Sequence, residues 1–224
     1  MNDLNHIAFI MDGNGRWGLK KQRDRNYGHL EGVKTVKKIV ESAIKFNVPI
    51  ITFYVFSTEN WRRPKSEINY LFKLISVYFN KEIKNIIKNN IKVVISGRLK
   101  NLSGKIKKIF NKAKEETKKN NKLVINLAIN YGSKLEIIDA VKKINRKSME
   151  ITEENINKNL YNNLSFPDIL VRTGGQKRLS NFMLWQLEYT EIFFSDKLWP
   201  DFTNNDLKKI INKYHKIKRN FGGI

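Results

Sequence analysis

Six short apolar runs alternate with six helical stretches, and that alternation limits the possible folds more than any other feature of the sequence. The apolar runs lie at 6–11, 50–56, 91–96, 123–130, 169–171 and 191–194. Apolar residues recur at helical spacing over about 29–46, 66–89, 103–119, 133–144 and 204–218, and a polar helical stretch spans 152–161. Strands joined through helices of this length pair in parallel, and a parallel sheet needs cover on both faces. The expectation is an α/β fold forming a single domain over residues 1–224, with a central, mainly parallel β-sheet of about six strands flanked by helices. No repeat, low-complexity block or linker divides the chain.

Ligands of such sheets bind outside the carboxyl ends of the strands. Four polar segments rich in Gly, Arg or Asn follow strand ends here, at 12–17, 57–63, 130–132 and 172–181. Loops far apart in sequence are therefore expected to open on one edge of the sheet.

Charge says what these loops hold. The 224 residues carry 43 Lys and Arg against 21 Asp and Glu, a net charge of +22. Such an excess suits nucleic acid, an anionic membrane surface or a phosphorylated substrate. Only ten of the basic residues are arginines, and seven of those fall in 16–25, 62–63 and 172–178, whereas the lysines spread along every solvent face. Lysine is a hydrated point charge; arginine is the fork that grips phosphate oxygens in pairs. The absence of cysteine excludes disulfides, thiolate metal sites and cysteine nucleophiles, and three histidines leave little for a histidine cage. No apolar run approaches the ~20 residues of a membrane span, and the first strand begins with no leader-like segment before it. A cytoplasmic, globular protein is expected.

The first loop, Asp12-Gly13-Asn14-Gly15-Arg16-Trp17, combines one carboxylate with two glycines that let backbone N–H groups approach an anion. A carboxylate beside such a nest points to a bridging Mg²⁺, although a Gly-rich turn capped by Asp accounts for the tetrapeptide alone equally well. Arg16, Arg23 and Arg25 weigh against a bare turn. The last loop supplies Arg172, Gly174, Gly175, Arg178 and Ser180, an inventory for a second diphosphate without the Walker spacing. Glu191 opens the sixth apolar run and is either a second metal carboxylate or an ordinary strand-end Glu. His29 sits near a helix start, where a surface role is as good a reading as ligand contact. Trp17, Trp61 and Trp199 suit a core, Trp61 least, between a polar loop and Pro64.

Together these segments resemble the cis-prenyltransferases, most closely the undecaprenyl diphosphate synthase type. The resemblance runs through HIAFIMDGNGRW (6–17), YGH (27–29), YVFSTENWRRP (54–64) with Glu67, NYG (130–132), RTGGQKRLSN (172–181) into residue 186, Glu191, LWPDF (198–202) and Phe221-Gly222-Gly223. It implies a Mg²⁺-dependent transferase that condenses isopentenyl diphosphate onto an allylic diphosphate such as farnesyl diphosphate, working as a homodimer. By resemblance, Asp12 and Asn60 are catalytic. Gly13, Asn14, Gly15, Arg16, Arg25 and His29 hold the allylic diphosphate, with Trp17 beside it. Arg172, Arg178 and Ser180 hold isopentenyl diphosphate, and Glu191 joins Asp12 at the metal. Ser57, Thr58, Glu59, Asn60, Trp61, Arg63 and Glu67 match the segment that orders over the reacting ends. The lysines are expected to hold the enzyme at the inner face of an anionic membrane.

The family keeps its product in an apolar tunnel, and the broad apolar face of helix 66–89 suits such a wall, as it suits core packing. Val55 stands where the family often has Ala, which narrows the tunnel and shortens the product. Gln176-Lys177 replaces a frequent Glu-His, and Asn220-Phe221-Gly222 replaces an Arg-x-Gly. Two other readings remain open at this stage: a nucleic-acid-binding module, and a phosphate-ester hydrolase using Asp12 and Mg²⁺. Clustered arginines beside a lone Asp disfavour the first.

Overall fold

The computed structural model describes residues 2–220, so the closing Phe221-Gly222-Gly223 lies outside the described residues. The chain order is β1 (His6–Ile10), α1 (Asn14–Lys20), α2 (Arg25–Lys45), β2 (Ile50–Ser57), α3 (Lys65–Lys88), β3 (Ile91–Ser96), α4 (Gly104–Thr117), β4 (Leu123–Tyr131), α5 (Ser133–Arg146), α6 (Glu153–Asn159), β5 (Ile169–Arg172), β6 (Glu191–Phe194) and α7 (Asn204–Tyr214). A 3-10 helix, Thr58–Arg62, follows β2, and another, Trp199–Asp201, precedes α7.

All six strands lie in one sheet of order β3-β4-β2-β1-β5-β6, and every pairing is parallel. From β1 the chain crosses to β2 on one side and later returns to β5 on the other. The loops after β1 and β5 thus part at a topological switch point, which opens a crevice at their carboxyl ends.

Alternation along the strands divides the core. Ile7, Phe9, Ile51 and Phe53 face the layer holding α2, α3, α4 and α7, while Ala8, Ile10 and Leu170 face Phe182, Met183 and Leu187. Ala140, Ile144, Ile156 and Leu160 of α5 and the α6 region form a further cluster. On β2 the alternation breaks. Tyr54 pairs with Ala128 and Phe56 with Ile129, so Val55 is an extra, bulged residue; Phe56 with Ile129 and Ser57 with Tyr131 then make Asn130 the compensating one. Val55 and Phe56 consequently both join the α2–α3 side.

A buried polar seam crosses the opposite face. His6 Nδ1 donates to Ser165 O at 2.6 Å, so its Nε2 accepts from Thr52 Oγ1 at 2.7 Å. Asn126 Nδ2 donates to Thr52 Oγ1, Ser96 Oγ to Asn126 Oδ1, and Asn162 Nδ2 to Ser96 Oγ, at 3.1, 2.8 and 2.7 Å. Burial pulls the His6 pKa down to about 4, against weaker upward pulls from the Ser165 hydrogen bond and Asp168.

Helix α2 starts a turn earlier than its apolar period, because the Asp24 side chain accepts from Tyr27 N at 2.8 Å and caps it. Residues 14–17, expected in the loop 12–17, instead open α1, which packs closely on α2 where Gly18 and Gly28 meet. Helix α7 ends at Tyr214, short of the expected 218.

Candidate active site

Asp12 leaves the end of β1 directly into the crevice. Its backbone carbonyl accepts from Trp199 N at 3.0 Å and Thr173 Oγ1 at 2.8 Å, which fixes where the side chain starts. Gly13 has φ +111, and a Cβ there would lie 2.8–3.0 Å from Leu198, so no L side chain fits. Asn14 and Gly15 open α1, and the Arg25 guanidinium lies where a Gly15 Cβ would be, 2.6 Å away.

The carboxylate of Asp12 joins both halves of the crevice. Oδ1 accepts from Arg16 Nη2 at 3.1 Å and Oδ2 from Arg172 Nη2 at 2.9 Å. Arg172, the last residue of β5, is 4% exposed and donates Nη1 to Ser180 Oγ at 2.8 Å and to the Arg178 carbonyl. Its Nε is buried with no protein partner, a donor left over for a ligand oxygen. Arg178 Nη1 donates to Gln176 Oε1 at 2.6 Å. That contact is what Gln176 provides in place of the family's frequent Glu.

A second charge cluster faces the first. Glu67, almost buried at the start of α3, accepts from Arg25 Nε at 3.1 Å, Arg25 Nη2 at 3.3 Å, Arg63 Nη1 at 3.0 Å and His29 Nε2 at 3.2 Å. Burial opposes its ionisation, but hydrogen bonds from Arg25 and His29 outweigh it and hold the carboxyl below its usual range. Burial keeps His29 below the ordinary imidazole range despite Glu67, so the ring is neutral with its proton on Nε2.

The 3-10 helix lies between the clusters. Ser57 N donates to Asn60 Oδ1 at 3.1 Å in a capping box, and Glu59 Oε1 accepts from Asn181 Nδ2 at 2.9 Å. Burial raises the Glu59 pKa, yet the Asn181 and local hydrogen bonds leave it lowered.

Below this mouth runs a cavity of about 750 Å³ between the sheet and helices α2 and α3. Its mouth holds Asp12 to Arg16, Arg25, His29, Ser57, Glu59, Asn60, Arg63, Arg172, Arg178 and Ser180. Its depth is apolar: Val36 and Val40 from α2, Leu74 and Phe79 from α3, and Val55 and Ile125 from the sheet. The four polar loops thus converge as the alternation pattern required, and helix α3 forms a cavity wall.

Besides Glu67, which stands behind its arginines, four expected site residues do not line the cavity. Trp17 stacks on Tyr27 with ring centroids 5.8 Å apart and donates to Asp201 Oδ1 at 2.7 Å. Trp61 packs on Phe56 and Phe72 and donates to Asn130 Oδ1 at 2.8 Å. Thr58 turns to Glu59 Oε2 at 3.1 Å. Glu191, expected beside Asp12 at the metal, lies away from the cavity within one chain. It pairs with Ile169 at the amino ends of β5 and β6, whereas Arg172 pairs with Phe194 at the carboxyl ends, and its Oε1 lies 3.9 Å from Arg219 Nε.

Two cavity residues went unread. Tyr54 OH sits 3.3 Å from both Tyr131 O and Ser180 O, with its pKa raised by burial, and Asn181 bridges to Glu59. Ser180 and Asn181 both have positive φ, 50 and 62. The Ser-Asn pair was the available signal, since Asn enters left-handed backbone more readily than most residues.

The donor set fits a hard divalent cation shared with substrate. Among the described residues no three His, Cys, Asp or Glu side chains gather as a metal cage. Asp12 is a single partly exposed carboxylate between two arginine-lined halves, a donor that needs phosphate oxygens and water to complete a shell.

The sequence matches the protein family described as "Putative undecaprenyl diphosphate synthase" over residues 10–222. An isoprenyl transferase of Fusobacterium nucleatum subsp. nucleatum is 47% identical over 220 residues, which cover 98% of this chain and 96% of that relative. An isoprenyl transferase of Oceanobacillus iheyensis is 46% identical over 100% of this chain and 92% of its own. Among solved structures, a probable undecaprenyl diphosphate synthase from Campylobacter jejuni superposes with a TM-score of 0.87 at 38% identity, covering 100% of both chains. Lavandulyl diphosphate synthase from Lavandula x intermedia, in complex with dimethylallyl diphosphate, gives 0.94 at 29% identity over 98% of each. Agreement of this extent, in sequence and in fold, sets aside the nucleic-acid and hydrolase readings: the chain belongs to the undecaprenyl diphosphate synthase family and is a prenyltransferase of the cis type.

Proposed function

We propose that the protein elongates a prenyl chain by condensing isopentenyl diphosphate onto an allylic diphosphate such as farnesyl diphosphate, with Mg²⁺. One observation carries this reading: Asp12 bridges two arginine-rich cradles at the mouth of a deep apolar cavity. Two doubly charged heads and one apolar tail have places there, and an ordinary phosphate-binding site has no use for the cavity.

Backbone groups of Gly13, Asn14 and Gly15, with Arg16, Arg25, Arg63 and His29, hold the allylic diphosphate. Arg172, Arg178 and Ser180 hold the isopentenyl diphosphate. Asp12 would carry the Mg²⁺, which neutralises charge on the departing diphosphate. Arg16 and Arg25 stabilise the same developing charge as the allylic C–O bond breaks. Asn60 and Glu59 sit over the reacting ends, and the cavity keeps water from the chain as it grows. The new carbon–carbon bond forms from the double bond of isopentenyl diphosphate; inorganic diphosphate and one proton leave. No side-chain base is assigned to that proton.

The test is incubation with farnesyl diphosphate, labelled isopentenyl diphosphate and Mg²⁺, read as label in extractable lipid. Asp12→Ala should abolish incorporation while leaving the melting transition in place, a loss of several kcal/mol of transition-state stabilisation. Near-normal incorporation in that variant would refute the role of Asp12, and phosphate release without isopentenyl diphosphate would restore the hydrolase.

The same reading extends to assembly and location. The edge strand β6 exposes Ile192 and Phe194, with Leu184 nearby in sequence also exposed, an apolar edge that a second copy would cover. Sedimentation as a monomer would refute the homodimer. No helix among the described residues is long and apolar enough to cross a membrane. Peripheral binding at the inner face of an anionic membrane in the cytoplasm is proposed from the lysines, at about 1 kcal/mol for each one near the surface. Failure to sediment with anionic vesicles at low salt would refute it.

A further inference from the structure

The cavity is smaller than a long product, and its wall contains an ion pair that the chemistry above does not use. The 750 Å³ includes the polar mouth where the diphosphates sit, so at about 30 Å³ per atom of water size the whole space holds at most about 25 carbons, or about five isoprene units. A longer tail has to leave the cavity while its diphosphate stays at the mouth. The sheet side of the wall is a hydrogen-bonded ladder that parts only by breaking strands. The helix side differs. Val33 and Val36 of α2 and Leu74 and Tyr78 of α3 line the cavity, and side-chain packing and ion pairs, not a backbone ladder, hold the two helices together there.

Among the described residues, ion pairs join α2 and α3 at two levels. At the mouth, Glu67 takes Arg25 and His29. Deeper, Lys37 Nζ lies 3.2 and 3.3 Å from the two carboxylate oxygens of Glu82, which also accepts from Asn85 Nδ2 at 2.9 Å. Glu82 is 7% exposed and sits between Phe79 and Ile86, both cavity-lining; Lys37 follows Val36, which lines it too. Burying a carboxylate in an apolar wall costs desolvation that a packed aliphatic pair avoids. The pair can also part at low cost on one side, because the Lys37 side chain is 48% exposed and stays in reach of water.

We propose that Lys37 and Glu82 form a latch on the α2–α3 seam that governs how far a growing prenyl tail passes out of the cavity, making them determinants of product length. This rests on the elongation reading above. Tails of up to about five units grow with the latch shut, and longer ones part it.

The experiment compares the wild-type chain with Glu82→Gln, Lys37→Met and the exchanged pair Lys37→Glu with Glu82→Lys. Each receives farnesyl diphosphate, labelled isopentenyl diphosphate and Mg²⁺. The rate of the first condensation, the final chain length and the melting temperature are read on the same preparations. The expected result is an unchanged first condensation in all four, longer final products in both single variants, and return to the wild-type length in the exchanged pair. Should Glu82→Gln fail to fold, Glu82→Asp withdraws the carboxylate from Lys37 without removing charge and takes its place. Identical chain lengths in every folded protein would overturn the latch. So would a wild-type product short enough to fit the closed cavity. Absence of any lipid product from wild type would instead refute the elongation reading.

Discussion

The polar seam across the sheet should give the fold an acid limit whose size follows from His6. Its imidazole is neutral in the fold, with a pKa near 4, against 6.5 for the unfolded residue. Above pH 6.5 neither state binds the proton, and the seam contributes in full. As pH falls from 6.5 toward 4, the unfolded chain takes up a proton that the folded chain refuses, and stability declines. The shift corresponds to about 3 kcal/mol once pH reaches 4, of which about 2 kcal/mol is lost by pH 5. That is a large fraction of the 5–15 kcal/mol typical of a folded domain. Urea unfolding of wild type and His6→Gln, measured between pH 8 and 4.5, isolates the contribution, because the other carboxylates and His29 are common to both. The variant should be the less stable above pH 7, from loss of the Thr52 and Ser165 contacts, and the gap should close on acidification. Parallel stability curves for the two proteins across that range would refute the argument.

The site offers two further tests. Glu67→Gln removes the charge that orients Arg25, Arg63 and His29, so KM for the allylic diphosphate should rise about tenfold, the order of one charge-assisted hydrogen bond; an unchanged KM would show that the arginines orient themselves. Val55→Ala removes two carbons from the cavity wall, and chain-length analysis should find longer products at a cost of about 1 kcal/mol in stability; an unchanged or shorter distribution would exclude Val55 from the wall that limits growth.

All six strands were legible from apolar runs to within a residue or two. The central strands β1, β2, β4 and β5, buried on both faces, leave a nearly continuous signal, and the edge strand β6 is apolar though half exposed. Their order was not. β4 lies between β3 and β2 although it follows both in sequence, and crossovers of similar length serve any order equally. Helix α1 escaped because seven residues with two glycines read as a turn, and what holds it helical is its packing on α2. The convergence of the Asp12, Asn60 and Arg172 segments was legible from one rule, that parallel strands present their ligand loops at carboxyl ends. The same rule sets where Glu191 stands within one chain. A residue that opens a parallel strand stands at the opposite edge from one that closes its neighbour, as Arg172 closes β5. The cavity was hidden for a different reason: an apolar face on α3 looks the same in sequence whether it meets a side chain or an empty volume.

The irregularity in β2 ties the mouth to the depth. In an unbroken strand the side after Val55 would belong to Phe182 and Tyr54, and Phe56 would turn to it. The bulge instead keeps Phe56 on the α3 side, where its ring lies 5.1 Å from Trp61 and 5.0 Å from Phe72. Asn130 restores the register so that Ser57 and Tyr131 end level, and its side chain accepts from the Trp61 indole. The 3-10 helix bearing Glu59 and Asn60 is therefore anchored on both halves of the same paired bulge that contains Val55 of the cavity wall. A change in the bulk at Val55 cannot be confined to the tail. It acts through Phe56 and Trp61 on the segment above the reacting ends, so substitutions that lengthen the product should also alter how that segment closes.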